Sequence, residues 1–529
     1  MIDNEAQLAG LAYALIGQSS ALTKAEQRLV DRRQDVPASL VNTTRKAIRV
    51  GDDPLGSHFC RLRSPEERRE DGATYTPPAI VTAMVSWAAR QPAPPVRIVD
   101  PGSGSGRFLL AAAKAFPAAE LVAVETDPLA LLLLRANAAV SGFAGRLTVK
   151  AADYRRITLA AVDGPTLFIG NPPYVRHHRI SESWKDWFAG TAAEYGFQAS
   201  KLAGLHIHFF LKTRALAQPG DYGAFITAAE WIDVNYGSVL RQMLADGLGG
   251  ASLHVIDPAA RPFADALTTG AITCFQVGAR PDHFTIGAVD SLDSLSDLSG
   301  GAPVEWNALS DAKRWSIHVR KGSKPAAGDI ELGELFRVHR GQVTGANAVW
   351  IAGPLAGDLP KRFLFPCVTK ARELLRAGDT LTDSRQLRCV IDLPVDLGTL
   401  TAKERLAVDA YLAWARKIGT QNGYVASNRR AWWAVGLKDP APILCTYMAR
   451  RAPAFVRNLC GARHLNIAHG LYPREPLDDA TLDRVLAFLK GNVCINAGRM
   501  YAGGLAKFEP GEVERLTIPS FDRLQELTP

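Results

Sequence analysis

A chain of 529 residues, 47% hydrophobic and 22% charged, has the composition of a globular protein and room for about two to four domains. No apolar stretch reaches the roughly 18 residues of a membrane span, Met1-Ile2-Asp3-Asn4-Glu5 does not open a signal peptide, and the seven cysteines are scattered without a Cys-x-x-Cys pair. These features argue against a membrane protein, a disulfide scaffold or a structural zinc, and they predict a reducing, cytoplasmic setting.

Residues 1–70 alternate helical stretches with basic segments and read as a helical N-terminal extension without chemistry of its own. In Tyr75-Thr76-Pro77-Pro78, Thr76 reads as an N-cap with Pro77 at N1, opening a helix through Ile80, Met84 and Trp87. A helix start of this kind can receive a carboxylate, so Tyr75 and Thr76 are candidate ligand residues.

Arg97–Asp100 predicts a strand and Pro101-Gly102-Ser103-Gly104-Ser105-Gly106 a glycine-rich turn into a helix over 107–116. Strand, glycine loop and helix in that order mark a nucleotide fold, with Gly102 and Gly104 admitting a ligand close to the backbone. The spacing is neither that of a dinucleotide fingerprint nor that of a phosphate-binding P-loop. A second strand over 121–124 ends at Glu125, placed to grip ribose hydroxyls. A third over 147–151 is followed by Asp153 and Tyr154, an acid and an aromatic suited to an adenine amine and its ring.

The apolar run Thr166–Gly170 breaks into Asn171-Pro172-Pro173-Tyr174. The two prolines fix two φ angles and aim their carbonyls, Asn171 adds an amide acceptor, and Tyr174 adds a flat face. Together they make a socket for an exocyclic amine, although an isolated match also reads as a proline turn. Asp100, Glu125, Asp153 and Asn171 thus end four successive strands, where ligands of doubly wound sheets sit.

Beyond the socket, 205–216 and 239–244 read as helices, and 223–228, 252–256 and 271–277 as strands, the last two antiparallel if the sheet closes with a hairpin. His206 and His208 lie two apart on a helix, face different ways and read as core or groove residues. Asp290–Gly300 is rich in Ser, Asp and Gly and reads as a linker. The net charge of +8 is then uneven. Residues 320–474 hold 24 Lys and Arg against 12 Asp and Glu, which points to a polyanion partner. Two clusters stand out there, Arg340–Asn347 and Asn428–Trp433. Their Arg, Asn and Gln side chains suit phosphate and base-edge contacts, while Trp432 and Trp433 read as core.

With these pieces in this order, residues 65–520 resemble the S-adenosylmethionine-dependent N6-adenine DNA methyltransferases, gamma class, of restriction–modification systems. The resemblance implies an α/β fold, a doubly wound (Rossmann-like) methyltransferase sheet with a C-terminal α+β target-recognition domain. It divides the chain into an extension (1–70), a catalytic domain (71–290) and a DNA target-recognition domain (305–520). It implies S-adenosylmethionine at Tyr75, Thr76, Asp100, Pro101, Gly102, Gly104, Glu125, Asp153, Tyr154 and Asn171. A flipped adenine would be held by Asn171, Pro172, Pro173 and Tyr174, with Phe263 stacking on it. Arg340, Asn347, Arg429 and Arg430 would contact DNA, and no metal is implied. The implied partners are double-stranded DNA and a cognate restriction endonuclease, in a cytoplasmic, nucleoid-associated setting. The same socket also suits an RNA or protein-glutamine methyltransferase, or an inactive DNA-binding relative.

Overall fold

The strands of the first 300 residues are short runs of Val, Ile, Leu and Phe alternating with helices, a pattern that folds as a mainly parallel sheet covered on both faces. The computed structural model describes residues 2–17, 21–64, 67, 75–256, 269–279, 281–295, 298–312, 315–319, 329–495, 498–501, 505–520 and 523–524. It divides into two compact units, residues up to 321 and residues from 322.

The first unit begins with four helices, α1 (Glu5–Ile16), α2 (Lys24–Asp31), α3 (Ala38–Val50) and α4 (Pro54–Leu62). Then α5 (Pro78–Ala89), β1 (Arg97–Pro101), α6 (Arg107–Ala115), β2 (Glu120–Glu125), α7 (Pro128–Ser141), β3 (Leu147–Ala151) and β4 (Thr166–Gly170) alternate. After α8 (Glu182–Glu194) and α9 (Leu205–Leu216) come β5 (Tyr222–Ala228), α10 (Ser238–Ala245) and β6 (Gly250–Ile256). The last three strands are β7 (Gly270–Gln276), β8 (His283–Val289) and β9 (Ala302–Glu305).

These make one nine-stranded sheet in the order β3-β2-β1-β4-β5-β7-β6-β8-β9. β1 to β5 run parallel and β7 lies antiparallel between β5 and β6. Side chains alternate between the two faces, as strand geometry requires. Ile98, Leu121, Leu167 and Ile169 join one core, and Val99, Val122, Phe168 and Phe225 the other. Chain order reverses between β1 and β4, so a crevice opens beyond their carboxyl ends.

The N-terminal helices are part of this unit's core and not an appendage. Ile2, Leu8, Leu11, Leu15, Val30, Ile48, Leu55 and Phe59 are buried in the same cluster as the sheet. Helix α7, PLALLLLRANAAVS, has no polar side. A helix apolar all round must be covered all round. The sheet takes one flank, and α1, α2, α3 and α4 pack on it as well. The Arg135 guanidinium on α7 bonds Glu26 of α2 at 2.6 Å, with that carboxylate fully buried.

The expected linker over 290–300 is also corrected. Val289, Leu295 and Leu298 are buried in the first unit, and β9 continues its sheet to Glu305. Three leucines spaced by three, at 292, 295 and 298, pin a segment whose Ser/Asp/Gly content masks them. Trp315 then packs against Trp231 and Phe284, which carries the unit on to residue 321. The boundary is therefore later than the 290 and 305 read from composition.

In the second unit, a five-stranded sheet runs β10 (Phe336–Arg340), β14 (Ala468–Pro473), β12 (Ile443–Thr446), β13 (Phe455–Asn458) and β11 (Thr380–Leu381) across its width. Leu482, Val485, Leu486 and Leu489 of the helix Asp479–Asn492 share a core with β10 and β12 residues. A second core gathers Val408, Tyr411 and Leu412 of the helix Ala402–Lys417, with Trp350, Val390 and Ile391. Trp432 and Trp433 pack against that core, and the indole of Trp433 donates to the Pro394 carbonyl at 3.0 Å.

Candidate active site

At the carboxyl ends of β1 to β4 lies a cavity of about 420 Å³. Its walls include Tyr75, Thr76, Gly102, Gly104, Glu125, Asp153, Tyr154 and Asn171, so the structure brings most of the sequence candidates together. Asp100, Pro101, Pro172 and Tyr174 stand behind or beside that wall and do not line it. Phe263 lies outside the described residues.

The glycine loop is shaped by its neighbours. Gly106 has φ of +89°, and a Cβ there would come 2.2 Å from a Leu134 methyl, so only glycine fits. The Gly104 amide donates to Glu125 at 2.9 Å. The other oxygen of Glu125 accepts from the amides of Thr126 at 2.7 Å and Asp127 at 3.0 Å. Burial raises the Glu125 carboxyl above its ordinary range, and these amides oppose that rise.

Asp100 is the outlier. It is 1% exposed, and neither carboxylate oxygen has a hydrogen-bond partner. Gly170 makes room for it, because a Cβ there would lie 2.6 Å from Asp100 Oδ1. Burial, and then the neighbouring charge of Glu125, push its carboxyl well above its ordinary value. A buried carboxylate without a partner is costly and calls for a cationic or donating ligand.

At the third strand end, burial would raise Asp153, but bonds from Arg155 outweigh it and hold the carboxyl below its ordinary value. The Arg155 guanidinium reaches it at 2.6 Å. Tyr154 is a wall and not an open face, since its hydroxyl meets Thr213 at 2.9 Å and its ring lies 5.0 Å from Phe209.

Asn171 begins the loop after β4. Its Nδ2 donates to Thr76 Oγ1 at 3.1 Å, which turns Oδ1 the other way. This corrects the expected cap. Helix α5 starts at Pro78 with Pro77 as its N-cap, so the Thr76 hydroxyl is not spent on the helix. The Tyr174 ring stands edge-on to His206 at 6.4 Å, and burial keeps its phenol neutral. His206 and His208 are core residues, as their spacing suggested. Burial lowers them to about 4 and about 3, and His208 stacks on Phe188 at 4.1 Å.

The sequence reading missed Asp53. Its side chain, 5% exposed, caps α4 through the Gly56 amide at 2.8 Å. It also accepts from Ser105 Oγ at 2.5 Å, Arg107 Nε at 2.8 Å and Asn137 Nδ2 at 3.1 Å. Arg107 Nη1 in turn donates to the Thr76 carbonyl at 3.1 Å. A polar chain therefore runs from Asp53 through Arg107 and Thr76 to Asn171. Asp-Pro as N-cap and N1 was the available signal. Asp53→Ala strands these donors, and should lower stability by about 2–4 kcal/mol. It should also weaken cofactor affinity by roughly tenfold, at about 1.4 kcal/mol per decade. Denaturant melts and calorimetry measure the two separately.

In the second unit, Arg340, Asn347 and Arg430 are exposed, whereas Arg429 is half-buried and its guanidinium donates to the Val343 carbonyl. Arg429 thus ties two loops together.

Comparisons with known proteins follow this division. Residues 58–198 match the family described as N-6 DNA Methylase, 162–256 the Eco57I restriction-modification methylase, and 325–528 the C-terminal domain of Type II methyltransferase M.Eco57I. The chain is 52% identical to Type II methyltransferase M.XamI of Xanthomonas campestris pv. amaranthicola, covering 99% of both chains. It is 22% identical to Type II methyltransferase M.AccI of Acinetobacter calcoaceticus, over 66% of this chain and 67% of that one. Among solved structures it is similar in fold to the Type IIL restriction-modification enzyme MmeI in complex with DNA. That match has a TM-score of 0.57 and 12% identity, over 98% of this chain and 80% of that one.

Proposed function

The chain belongs to the Type II DNA methyltransferases of restriction–modification systems, and from that membership we propose that it methylates the N6 amine of an adenine flipped out of duplex DNA. The single observation that carries the acceptor is Asn171, an amide fixed by Thr76 at the end of β4 beside the glycine-loop cavity.

S-adenosylmethionine is the methyl donor, and it supplies a sulfonium methyl that needs no further activation. The residues present fit it. The unpartnered Asp100 carboxylate, behind the cavity wall, suits the ammonium end through the equally unpartnered Ser103 hydroxyl, which lines the cavity and can accept from one and donate to the other. Glu125 can take ribose hydroxyls, and Asp153 the adenine amine. The difficulty left to the protein is a weakly nucleophilic amine stacked inside a duplex. Extruding the base costs about a few kcal/mol, which the socket must restore by stacking and hydrogen bonds. The Asn171 Oδ1 and Pro172 carbonyl accept from N6, lining its lone pair up with the methyl group. Tyr174 offers a face to the base.

Residues from 322 form the DNA-reading part in this proposal, supported by their excess of basic residues and their family match. That basic excess favours duplex DNA over a protein glutamine as the substrate. A cognate endonuclease and a cytoplasmic setting complete the reading. No helix among the described residues is long and apolar enough to cross a membrane.

The test is direct. Unmethylated plasmid incubated with the purified protein and S-adenosylmethionine should yield N6-methyladenine at one short sequence, seen by nucleoside mass spectrometry and modified-base sequencing. Duplex affinity should fall at least a hundredfold between about 50 and 200 mM salt. Methyl groups on cytosine, on RNA alone or on protein would refute the assignment.

A further inference from the structure

Two loops of the second unit, distant in sequence, are clasped into one surface. The Arg429 guanidinium donates to the Val343 carbonyl, and a Cβ on Gly345 would lie 2.8 Å from Val425 Cβ. The stretches that carry these loops, 335–357 and 410–438, contain no Asp or Glu, in a chain with 53 among 529 residues. The second stretch alone holds five Lys or Arg. The nearby acid Asp392 is taken up by the Gly436 and Leu437 amides at 2.8 and 2.7 Å, and two loops that bring no carboxylate of their own fit a polyanion.

Its amides are committed in opposite senses. Asn428 is exposed, and its Nδ2 donates to the Tyr424 carbonyl at 2.7 Å, so the acceptor Oδ1 is the atom left to a ligand. Asn347 is also exposed, and its Oδ1 accepts from the buried Thr344 hydroxyl, so its NH2 donor is the group left. Beside Asn428, Tyr424 stands 85% exposed on a single helical turn, and its carbonyl is also held by Ser427 Oγ at 3.0 Å. One acceptor and one donor, each fixed by its own loop, are what reading a base edge requires. The major groove offers amines on adenine and cytosine, and O6, O4 and N7 acceptors on the other side of the code.

We propose that this surface reads base identity in duplex DNA. Asn428 accepts from an adenine or cytosine amine, Asn347 donates to a guanine, thymine or adenine acceptor, and Tyr424 packs on an adjoining nucleotide. Arg429 is the clasp that positions both loops. Arg430, exposed beside it, is left for a phosphate. This inference rests on the DNA-methyltransferase reading above and says which side chains set its specificity.

The recognised sequence is first found by modified-base sequencing with the wild-type protein. Methyl transfer is then measured on that duplex and on duplexes with each base pair replaced in turn. Asn428→Ala and Asn347→Asp should each lose roughly ten- to a hundredfold of discrimination at one base pair, and not the same one. The charge brought by the Asp variant also lowers the rate on every duplex, so the ratio between duplexes at that base pair, and not the rate itself, is what is read. Tyr424→Ala, whose exposed ring the fold does not need, should lower kcat/KM about tenfold. Denaturant melts that follow the second unit's tryptophans check that each variant is folded there. If the wild type discriminates and all three variants match it, this inference alone is overturned. If the wild type methylates DNA without sequence preference, the premise falls and the inference with it.

Discussion

Asn171→Ala should lose methyl transfer by roughly a thousandfold, the scale seen when one preorganised polar group is removed from an active site. Cofactor and duplex affinity should stay close to wild type, because the amide orients N6 and does not hold the helix. The geometry makes a second variant informative. Asn171→Asp keeps an acceptor toward the amine but cannot donate to Thr76 Oγ1, at 3.1 Å in this structure. The bond to Thr76 must then reverse, the hydroxyl donating to one carboxylate oxygen. The side chain keeps a tether but brings a charge to the amine, and its rate should fall between the other two. Single-turnover transfer of a tritiated methyl group separates this from product release. A duplex carrying 2-aminopurine at the target position reports flipping independently, and should still brighten with Asn171→Ala. Full activity in that variant would sink the acceptor role of Asn171.

Asp100→Ala should act on binding and on stability with opposite signs. Cofactor affinity should drop about a hundredfold, because a charge-assisted hydrogen bond is worth about 1.5–3 kcal/mol. The cofactor-free protein should become more stable at neutral pH, since an unpartnered buried carboxyl is removed. The sign of the pH dependence follows. Burial first, and Glu125 second, raise the folded carboxyl well above 3.8. The wild-type protein therefore holds its full share of stability below that value and loses it as pH rises through the raised one. Asp100→Asn should flatten this slope. Binding a cation beside Asp100 should release a proton, so affinity should weaken as pH falls. Calorimetry in two buffers of different ionisation heat measures that proton. Equal heats, together with wild-type affinity in Asp100→Ala, would move the ammonium site elsewhere.

The strand ends were legible because β2 and β4 are short apolar runs that stop at Glu125 and Asn171. Strands β1 and β3 carry the same order of strand and acid in a more mixed run, so period and stop are written locally. β1 to β4 fall where those runs lie. Three things were not legible, for one reason: they are bonds between segments distant in sequence. Thr76 looks like a helix cap, and only the fold shows its hydroxyl 3.1 Å from Asn171. Asp53 is one Asp-Pro among several until Ser105, Arg107 and Asn137 converge on it. The segment over 290–300 has the composition of a linker, and its leucines matter only once a core is there to receive them. A clue did exist for the first 64 residues. Helix α7 lacks a polar face, which demands covering elements that the rest of a doubly wound sheet does not supply.

That same helix imposes an order of assembly. Helices α1 to α4 leave the ribosome before the surface they cover, which is made only when residues 128–141 appear. Until then Leu8, Leu11, Leu15 and Val30 have no sheet-backed partner to bury against. These helices must close back over about a hundred residues of chain, a loop whose entropy grows only slowly with length. Synthesis pausing in that window would leave apolar surface exposed to aggregation. The methyl-donor cavity, which Phe59 and Arg63 help to wall, is completed by this backward closure and not by the order in which the chain is made.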